Sequence, residues 1–206
     1  MGLSSLLARR LPVPSSWIGK KSEFEAAGES GDVYWIPEQK MNAPGKTTVF
    51  NRIRLSEHLR RDFSIDVVEY IFLHERGHAE RGWVGRIKYV SMTFVSLLLT
   101  ILSLLFAIVL AGIVVANISL VEAGTVGFFF GLSIWFGWLY CRVQRNEELR
   151  AECYALNSLG EKEFRRRRNM WEKERKGQRG TFARLQRRYF YPEEDTIFST
   201  YDEERA

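Results

Sequence analysis

Two histidines and a glutamate near the middle of the chain have the residue types and spacing of a metal-dependent hydrolytic site. They form the sequence H-E-R-G-H at residues 74–78, an H-E-x-x-H motif in a chain of 206 residues with only three histidines. On a helix, residues four apart share a face, so His74 and His78 can reach one ion while Glu75 points at its water. The motif therefore predicts one zinc ion per chain, and the alternative is a solvated histidine pair on an ordinary helix.

The residues before the motif have the features of a helix start. Ser64 suits an N-cap, and Asp66 lies in the first turn, where the helix dipole favours a negative charge. Phe63 and Val68 are spaced as a hydrophobic staple. An apolar stripe follows, made of Ile65, Val68, Ile71 and Phe72. We therefore expect one amphipathic helix to carry both histidines on the same face.

A catalytic zinc site needs a third protein ligand and an open position for water. No histidine follows His78, and His58 lies in a charged segment that favours a solvent-facing side chain. The downstream candidates are carboxylates, because Glu148 and Glu152 share one helical face. One of these two can bind zinc while the other orients a ligand histidine.

Two long uncharged runs separate the histidines from these carboxylates. No charged residue occurs for 33 positions between Lys88 and Glu122, or for 19 positions between Glu122 and Arg142. About 20 apolar residues suffice to span a bilayer as a helix, so the sequence favours a two-span hairpin over a purely soluble protein. Gly127 and Gly131 either let the spans pack closely or only fill lipid-facing space.

The distribution of basic residues predicts the orientation of this hairpin. Lys and Arg flank both of its outer ends and are absent from its connector, residues 117–124. By the positive-inside rule, both polar regions, both termini and the zinc site are cytoplasmic. Arg165–Arg168 form a basic run close to the membrane. The anionic inner leaflet accounts for that run, so we expect contact with membrane lipids rather than with nucleic acid.

The order of these features resembles that of a known family. A helix with H-E-x-x-H, two membrane spans and then E-x-x-A-D-x-x-A is similar to the integral-membrane gluzincins of the CAAX prenyl endopeptidase and HtpX type. The last motif here is E-L-R-A-E-C-Y-A at residues 148–155, and the resemblance covers roughly residues 46–160. It implies a mainly α membrane protein whose zincin-like (gluzincin) α+β cytoplasmic domain is interrupted by a two-helix transmembrane hairpin.

The resemblance also implies a role for each motif residue. By position, zinc would be held by His74, His78 and Glu148, with Glu75 as the general base. Glu152 stands where the family usually has Asp, which implies that a longer side chain orients a ligand histidine.

The donor that stabilises the transition state does not carry over from the family. The chain lacks the Thr-His-Pro element often found later in it, since the only proline after the spans is Pro192. Arg150 and Tyr154 are local candidates for this donor. Their alternative roles are a surface charge and a packing aromatic.

Composition divides the chain into five predicted parts. They are a loosely structured lead-in at 1–45, an edge strand with the H-E-x-x-H helix at 46–86, the hairpin at 87–142, the third-ligand helix at 143–160, and a basic helical tail with an acidic C-terminus at 161–206. The edge strand is Thr47–Leu55, where apolar and polar residues alternate. Gluzincins have an edge strand in this region beside the cleft, so we expect it to bind an extended peptide. The alternative is an interior strand paired on both sides.

These observations predict a membrane-anchored zinc endopeptidase that hydrolyses peptide bonds at the cytoplasmic membrane face. The expected substrates are proteins or peptides, in particular membrane proteins or extended segments. Two alternatives are a catalytically inactive zinc-binding sensor or adaptor, and a membrane-tethered interaction module. Zinc content distinguishes the interaction module from the other two, and proteolysis that depends on Glu75 distinguishes the enzyme from the sensor.

Overall fold

The chain forms two units in the computed structural model, which describes residues 20–41, 43–48, 51–114, 120–175 and 189–205. The first unit comprises Met1–Arg81, Glu148–Leu185 and Pro192–Ala206, and the second comprises Gly82–Glu147 and Gln186–Tyr191. The strands are β1 (Lys20–Ala26), β2 (Glu29–Ile36), β3 (Gly45–Thr47) and β4 (Ile53–Ser56). The helices are α1 (Glu57–Asp62), α2 (Ile65–Ala79), α3 (Trp83–Val114), α4 (Leu120–Leu159), α5 (Glu161–Arg175) and α6 (Glu194–Arg205).

The four strands form one mixed sheet in the order β1-β2-β4-β3. β1 and β2 are antiparallel, β2 and β4 are parallel, and β3 and β4 are antiparallel. Within the described residues, β1 and β3 are therefore the edges, and β4 is paired on both sides. The helix α2 contacts β1, β3 and β4, so the H-E-x-x-H motif lies directly on the sheet.

The β1–β2 hairpin corrects the expectation of a loosely structured lead-in. Its two-residue turn is Ala27-Gly28, and both residues have positive φ, 52° and 79°. This is the backbone of the tight hairpin turn that matches the twist of antiparallel strands. Val33 and Trp35 are buried, while Asp32 is exposed and Tyr34 is partly buried. This alternation is a strand signal that the surrounding prolines and charges concealed. Residues 1–19 lie outside the described part of the chain.

The predicted strand Thr47–Leu55 is two strands rather than one. β3 ends at Thr47 and β4 begins at Ile53. Between them the Asn51 amide donates to the Thr48 carbonyl at 2.9 Å, and residues 49–50 of the predicted strand lie outside the described residues. Asn51 has φ 59°, a left-handed conformation that asparagine tolerates better than most residues. The edge next to the motif is therefore the short strand β3, and β4 is the interior strand named as the alternative.

The hydrophobic core of the first unit shows that residues 161–206 are not only a tail. Phe164 of α5 and Ile197 of α6 have no exposed surface, and they pack with Phe72 and Leu73 of the motif helix and Leu156 of α4. Both C-terminal helices thus supply apolar surface that the small sheet and α2 need in order to form a core.

The basic run of α5 has ionic partners inside the first unit. Arg166 makes a bidentate pair with Asp66 of α2 at 2.9 Å, and Arg167 pairs with Glu69 of the same helix. Arg165 pairs with Glu194 of α6. The contacts of Arg166 and Arg167 place α5 against the start of the motif helix. The basic run therefore has a packing role that its sequence does not indicate. Contact of the run with membrane lipids stays a prediction.

Two helices are long and apolar enough to cross a membrane, Trp83–Ala111 and Val121–Leu159 by length and composition. The second unit holds the first of them and the part of the second helix that precedes Glu148. The two helices are joined by polar side chains, because Tyr89 donates to Gln144 at 2.6 Å and Gln144 donates to Thr93 at 3.1 Å. An added Cβ at Gly127 or Gly131 meets no atom within 4 Å. The structure therefore favours space filling over close packing for these two glycines.

A glycine in the motif sets how closely α2 approaches α4. A Cβ at Gly77 would lie 2.8 Å from the Ala151 Cα and 3.0 Å from its carbonyl oxygen, so a larger residue would push the helices apart. Alanine favours a helix over glycine by about 1 kcal/mol, but overpacking costs about 1–3 kcal/mol. We expect Gly77→Ala to lower the free energy of unfolding, measured in detergent.

Gly127→Ala is the matched control for this substitution, because Gly127 also lies inside a helix and its Cβ position is open. It should leave the unfolding midpoint unchanged or raise it slightly. A Gly77→Ala protein as stable as the Gly127→Ala protein would show that backbone contact does not fix the helix spacing.

Candidate metal centre

The two sequence motifs meet where α2 packs against α4 inside the first unit. Moving along α2, Tyr70 contacts Glu152, His74 lies between Glu152 and Glu148, and His78 faces Glu148. As residue numbers increase along α2, the numbers of the contacted residues on α4 decrease, so the two segments are antiparallel. Each residue lies one turn from the next on its own helix, which places all five side chains on the facing surfaces.

Three of these side chains converge on one point. The His74 Nε2 atom lies 3.3 Å from one Glu148 oxygen, and the His78 Nε2 atom lies 3.8 Å from the other. The ligand atoms of the three residues all lie within 4.8 Å of one another. Two imidazole nitrogens and one carboxylate form a donor set that suits zinc, and three protein ligands leave room for a water or substrate. The residues present therefore fit a divalent cation.

Glu152 lies on the opposite side of the His74 ring from Glu148. Its Oε1 atom is 3.6 Å from the His74 Nδ1 atom, and the carboxylate is buried. The Tyr70 hydroxyl donates to this carboxylate, at 2.9 Å from Oε1 and 2.8 Å from Oε2. Sequence reasoning did not identify Tyr70. The available signal was its position one turn before His74 on the same helical face.

Glu75 extends from α2 toward the edge strand β3. The Thr47 hydroxyl lies 2.8 Å from its Oε2 atom and 2.7 Å from its backbone carbonyl, so the single hydroxyl proton is shared between two acceptors. A Cβ at Gly45 would lie 2.8 Å from the Glu75 Cγ and Oε1 atoms. Gly45 therefore provides the space that the side chain occupies. Thr47 belongs to no motif, and its role depends on a contact across 28 residues.

The three motif side chains have displaced proton affinities. Burial opposes a charge on His74, but the hydrogen bond to Glu148 and the charges of Glu152, Glu148 and Glu75 outweigh it and raise the pKa to about 9. Burial and the charge of His74 lower the pKa of His78 to about 3. Burial raises the pKa of Glu75 to about 7, against the opposing charge of His74. Without metal at pH 7, His74 is therefore cationic and His78 is neutral.

The other histidine and the candidate donors lie in different surroundings. His58 pairs with Asp62, and its side chain is 27% exposed, so it is partly buried rather than fully solvent-facing. Arg76 donates a hydrogen bond to Tyr154. The Tyr154 Cβ also lies 2.9 Å from the position of a Cβ at Gly77, so this residue packs against α2. Arg150 lies close enough to His78 for its charge to help lower the pKa of that residue.

Comparison with known proteins identifies no family for this chain. No protein-family model, no curated protein and no solved structure matches it. The case for a metal centre therefore depends on the motifs, their order and the geometry described above.

Cation binding at this cluster should be coupled to the loss of a proton. Because the pKa of His74 is about 9, the Nε2 proton must leave before this atom can bind a cation, whereas His78 is already neutral. We expect the apparent affinity to rise about tenfold per pH unit between pH 6 and 7, with release of about one proton. Calorimetry with Zn²⁺ in buffers of different ionisation enthalpy measures this number.

The control for this experiment is the His74→Ala, His78→Ala double variant, which should lose the binding isotherm. Equal zinc content in this variant and in the wild type would place the ion elsewhere. An affinity that does not change with pH would contradict the protonated state of His74.

Proposed function

We propose that the protein is a membrane-anchored, zinc-dependent endopeptidase of the integral-membrane gluzincin type. The observation that carries the proposal is the convergence of His74, His78 and Glu148, within 4.8 Å, beside the buried carboxylate of Glu75. Two long apolar helices support a membrane location. We place the site at the cytoplasmic face because basic residues flank the hairpin.

In this proposal each side chain of the cluster has a separate task. His74, His78 and Glu148 hold the zinc ion, and Glu152 keeps the His74 ring oriented. The ion, when bound, acidifies a water molecule and polarises the scissile carbonyl. Arg150, whose charge acts on His78, is the favoured candidate for stabilising the negative charge that develops on the carbonyl oxygen.

Glu75 is suited to move the proton of the attacking water. Its pKa of about 7 lies near neutral pH, where a group can both accept and donate a proton efficiently. The carboxylate takes the proton from the water and returns it to the nitrogen of the leaving amine. The Thr47 hydroxyl fixes one oxygen of the carboxylate, which limits the rotamers that Glu75 can adopt.

The edge strand β3 suggests how a substrate is held. β3 pairs with β4 on one side only within the described chain, and its Thr47 contacts Glu75. An extended peptide that adds to this edge would present its backbone close to Glu75 without requiring a particular sequence. We therefore propose protein or peptide substrates that are unfolded or extended near the membrane. The short length of β3 limits the pairing to a few residues.

A zinc-binding sensor or adaptor without peptidase activity is the second candidate. One observation favours it, because the Glu75 side chain is almost completely buried, with 7% of the residue exposed, and substrate must gain access to it. In this case the cluster would bind zinc, and the wild-type protein and its Glu75 variants would all fail to cleave a substrate.

The substitution Glu75→Gln distinguishes the two candidates. It keeps the size of the side chain and its hydrogen bond with Thr47 but removes the base, so zinc content should stay at one ion per chain. General acid–base catalysis contributes about 10²–10⁴-fold, and we expect cleavage of fluorescein-labelled casein to fall by at least about 100-fold.

The control is Glu80→Gln, which changes an exposed glutamate just beyond the same helix and should cleave at the wild-type rate. Undiminished cleavage by Glu75→Gln would exclude Glu75 as the base. If the wild-type protein, loaded with zinc, cleaves no unfolded substrate, the sensor function is supported instead.

The proposed orientation is tested by labelling cysteines from outside intact cells. In a background without Cys141 and Cys153, a cysteine at Ser119 in the connector should react with an impermeant maleimide, and a cysteine at Ser158 should not. Both should react once the membrane is permeabilised. The opposite pattern would place the cluster on the outer side.

A further inference from the structure

Tyr70 is a residue near the cluster to which the proposed mechanism gives no task. It lies one turn before His74 on α2, is 3% exposed, and donates its hydroxyl to Glu152 on α4 across 82 residues of sequence. A hydroxyl in the core needs a hydrogen-bond partner, but a neutral partner would satisfy it equally well. Here the partner is the carboxylate that faces the metal-binding histidine.

We propose that Tyr70 is a positioning residue that acts through Glu152 to keep the His74 Nε2 atom available for the metal ion. This inference rests on the metal-binding part of the proposed function and does not require peptidase activity. Glu152 is the intermediate, because it accepts from Tyr70 at 2.8–2.9 Å and faces the His74 Nδ1 atom at 3.6 Å.

The direction of the hydrogen bond from Tyr70 to Glu152, together with the contact between Glu152 and His74, explains this role. The Tyr70 hydroxyl carries one proton, and its burial and the negative charge of Glu152 raise its pKa well above the usual value, so it stays a donor. The Glu152 carboxylate accepts from Tyr70 and faces the His74 Nδ1 atom at 3.6 Å as a negative charge, beyond hydrogen-bond distance. The His74 Nδ1 atom must keep its proton to face this carboxylate, which leaves the lone pair of a neutral ring on Nε2.

A cation near Glu152 makes its burial tolerable. Arg168 is buried, and the charge of Glu152 helps to raise the pKa of its guanidinium against burial. Arg168 is itself held by a bond from Nη2 to the Pro192 carbonyl at 3.1 Å. The carboxylate therefore has a counter-charge, a hydroxyl donor and the histidine ring as its surroundings. The Tyr70 hydroxyl is within hydrogen-bond distance of both Glu152 carboxylate oxygens and so fixes the orientation of the carboxylate.

The arrangement also fits the length of the side chain at position 152. A glutamate on α4 reaches deeper toward α2 than an aspartate, and Tyr70 supplies the donor at the depth that the longer side chain reaches. The Tyr70 ring is fixed by an edge contact with Phe164, at 5.9 Å between ring centroids. Removal of the hydroxyl alone therefore leaves the packing of the ring in place.

The test measures Zn²⁺ affinity of the full chain in detergent by competition with a chelator, together with the visible absorption of the Co²⁺ form. Loss of an outer partner of a metal ligand typically weakens binding about 10–100-fold, and Tyr70 is one contact further out. We expect Tyr70→Phe to weaken Zn²⁺ binding about tenfold and to shift the Co²⁺ absorption bands. The matched control is Tyr201→Phe in the same unit, which removes a hydroxyl bonded to Asn157 at 3.3 Å and should change neither readout.

Combined variants separate positioning from a general effect on the fold. If Tyr70 acts through Glu152, Tyr70→Phe should cause no further loss of affinity in a Glu152→Gln background, whereas independent structural effects would add. Glu152→Asp, whose carboxylate is withdrawn from Tyr70, should behave in the same way. Additive losses, or an unchanged affinity in Tyr70→Phe, would overturn this inference and leave the proposed function intact. A wild-type protein whose zinc binding does not depend on His74 and His78 would overturn both.

Discussion

The packing of α2 against α4 brings ionisable side chains into a space where only paired charges are stable. Glu75, Glu152 and Arg168 are buried, and a buried charge left without a partner costs about 3–5 kcal/mol. Each of them has an opposite charge nearby, because Glu75 lies near His74 and Glu152 lies near Arg168. Each also has a neutral hydrogen-bond partner, which is Thr47 for Glu75, Tyr70 for Glu152 and the Pro192 carbonyl for Arg168. Thr47 comes from the sheet, Tyr70 from α2 and the Pro192 carbonyl from the segment before α6, so several parts of the first unit contribute partners to these buried groups.

Close approach of the helices is the second part of the same constraint. A carboxylate on α4 can share a cation with imidazoles on α2 only if the helix backbones are near each other, and small residues allow this. Gly77 faces Ala151, where an added Cβ would meet backbone at 2.8 Å. The motif position between the two histidines is thus occupied by a glycine for a steric reason, and Ala151 meets the same requirement from the other helix.

Local patterns in the sequence predicted the parts of the structure that depend on neighbouring residues. The helix spacing of His74 and His78 placed both on one face, and the i,i+4 spacing of Glu148 and Glu152 did the same on α4. The uncharged runs predicted the two long apolar helices. The sequence did not indicate the contacts that Tyr70 and Thr47 make, because their partners lie 82 and 28 residues away. It also concealed the β1–β2 hairpin, whose strands carry many charges, and the burial of Phe164 beside a run of four arginines, which have partners on other helices.

The protonation of the cluster bears on how the proposed metal ion would bind. In the metal-free protein the His74 imidazolium lies 3.3 Å from Glu148 and 3.6 Å from Glu152, so one positive charge is shared by two carboxylates on opposite sides of the ring. Replacement of the Nε2 proton by a divalent cation would keep a positive charge beside Glu148 and would leave the Nδ1 proton facing Glu152. His74, His78 and Glu148 would then hold the ion in the proposed function, with one positive charge exchanged for another beside the same carboxylate. An arrangement that is ordered before the ion arrives reduces the conformational cost of binding, and it follows from the same pairing of buried charges that holds the two helices together.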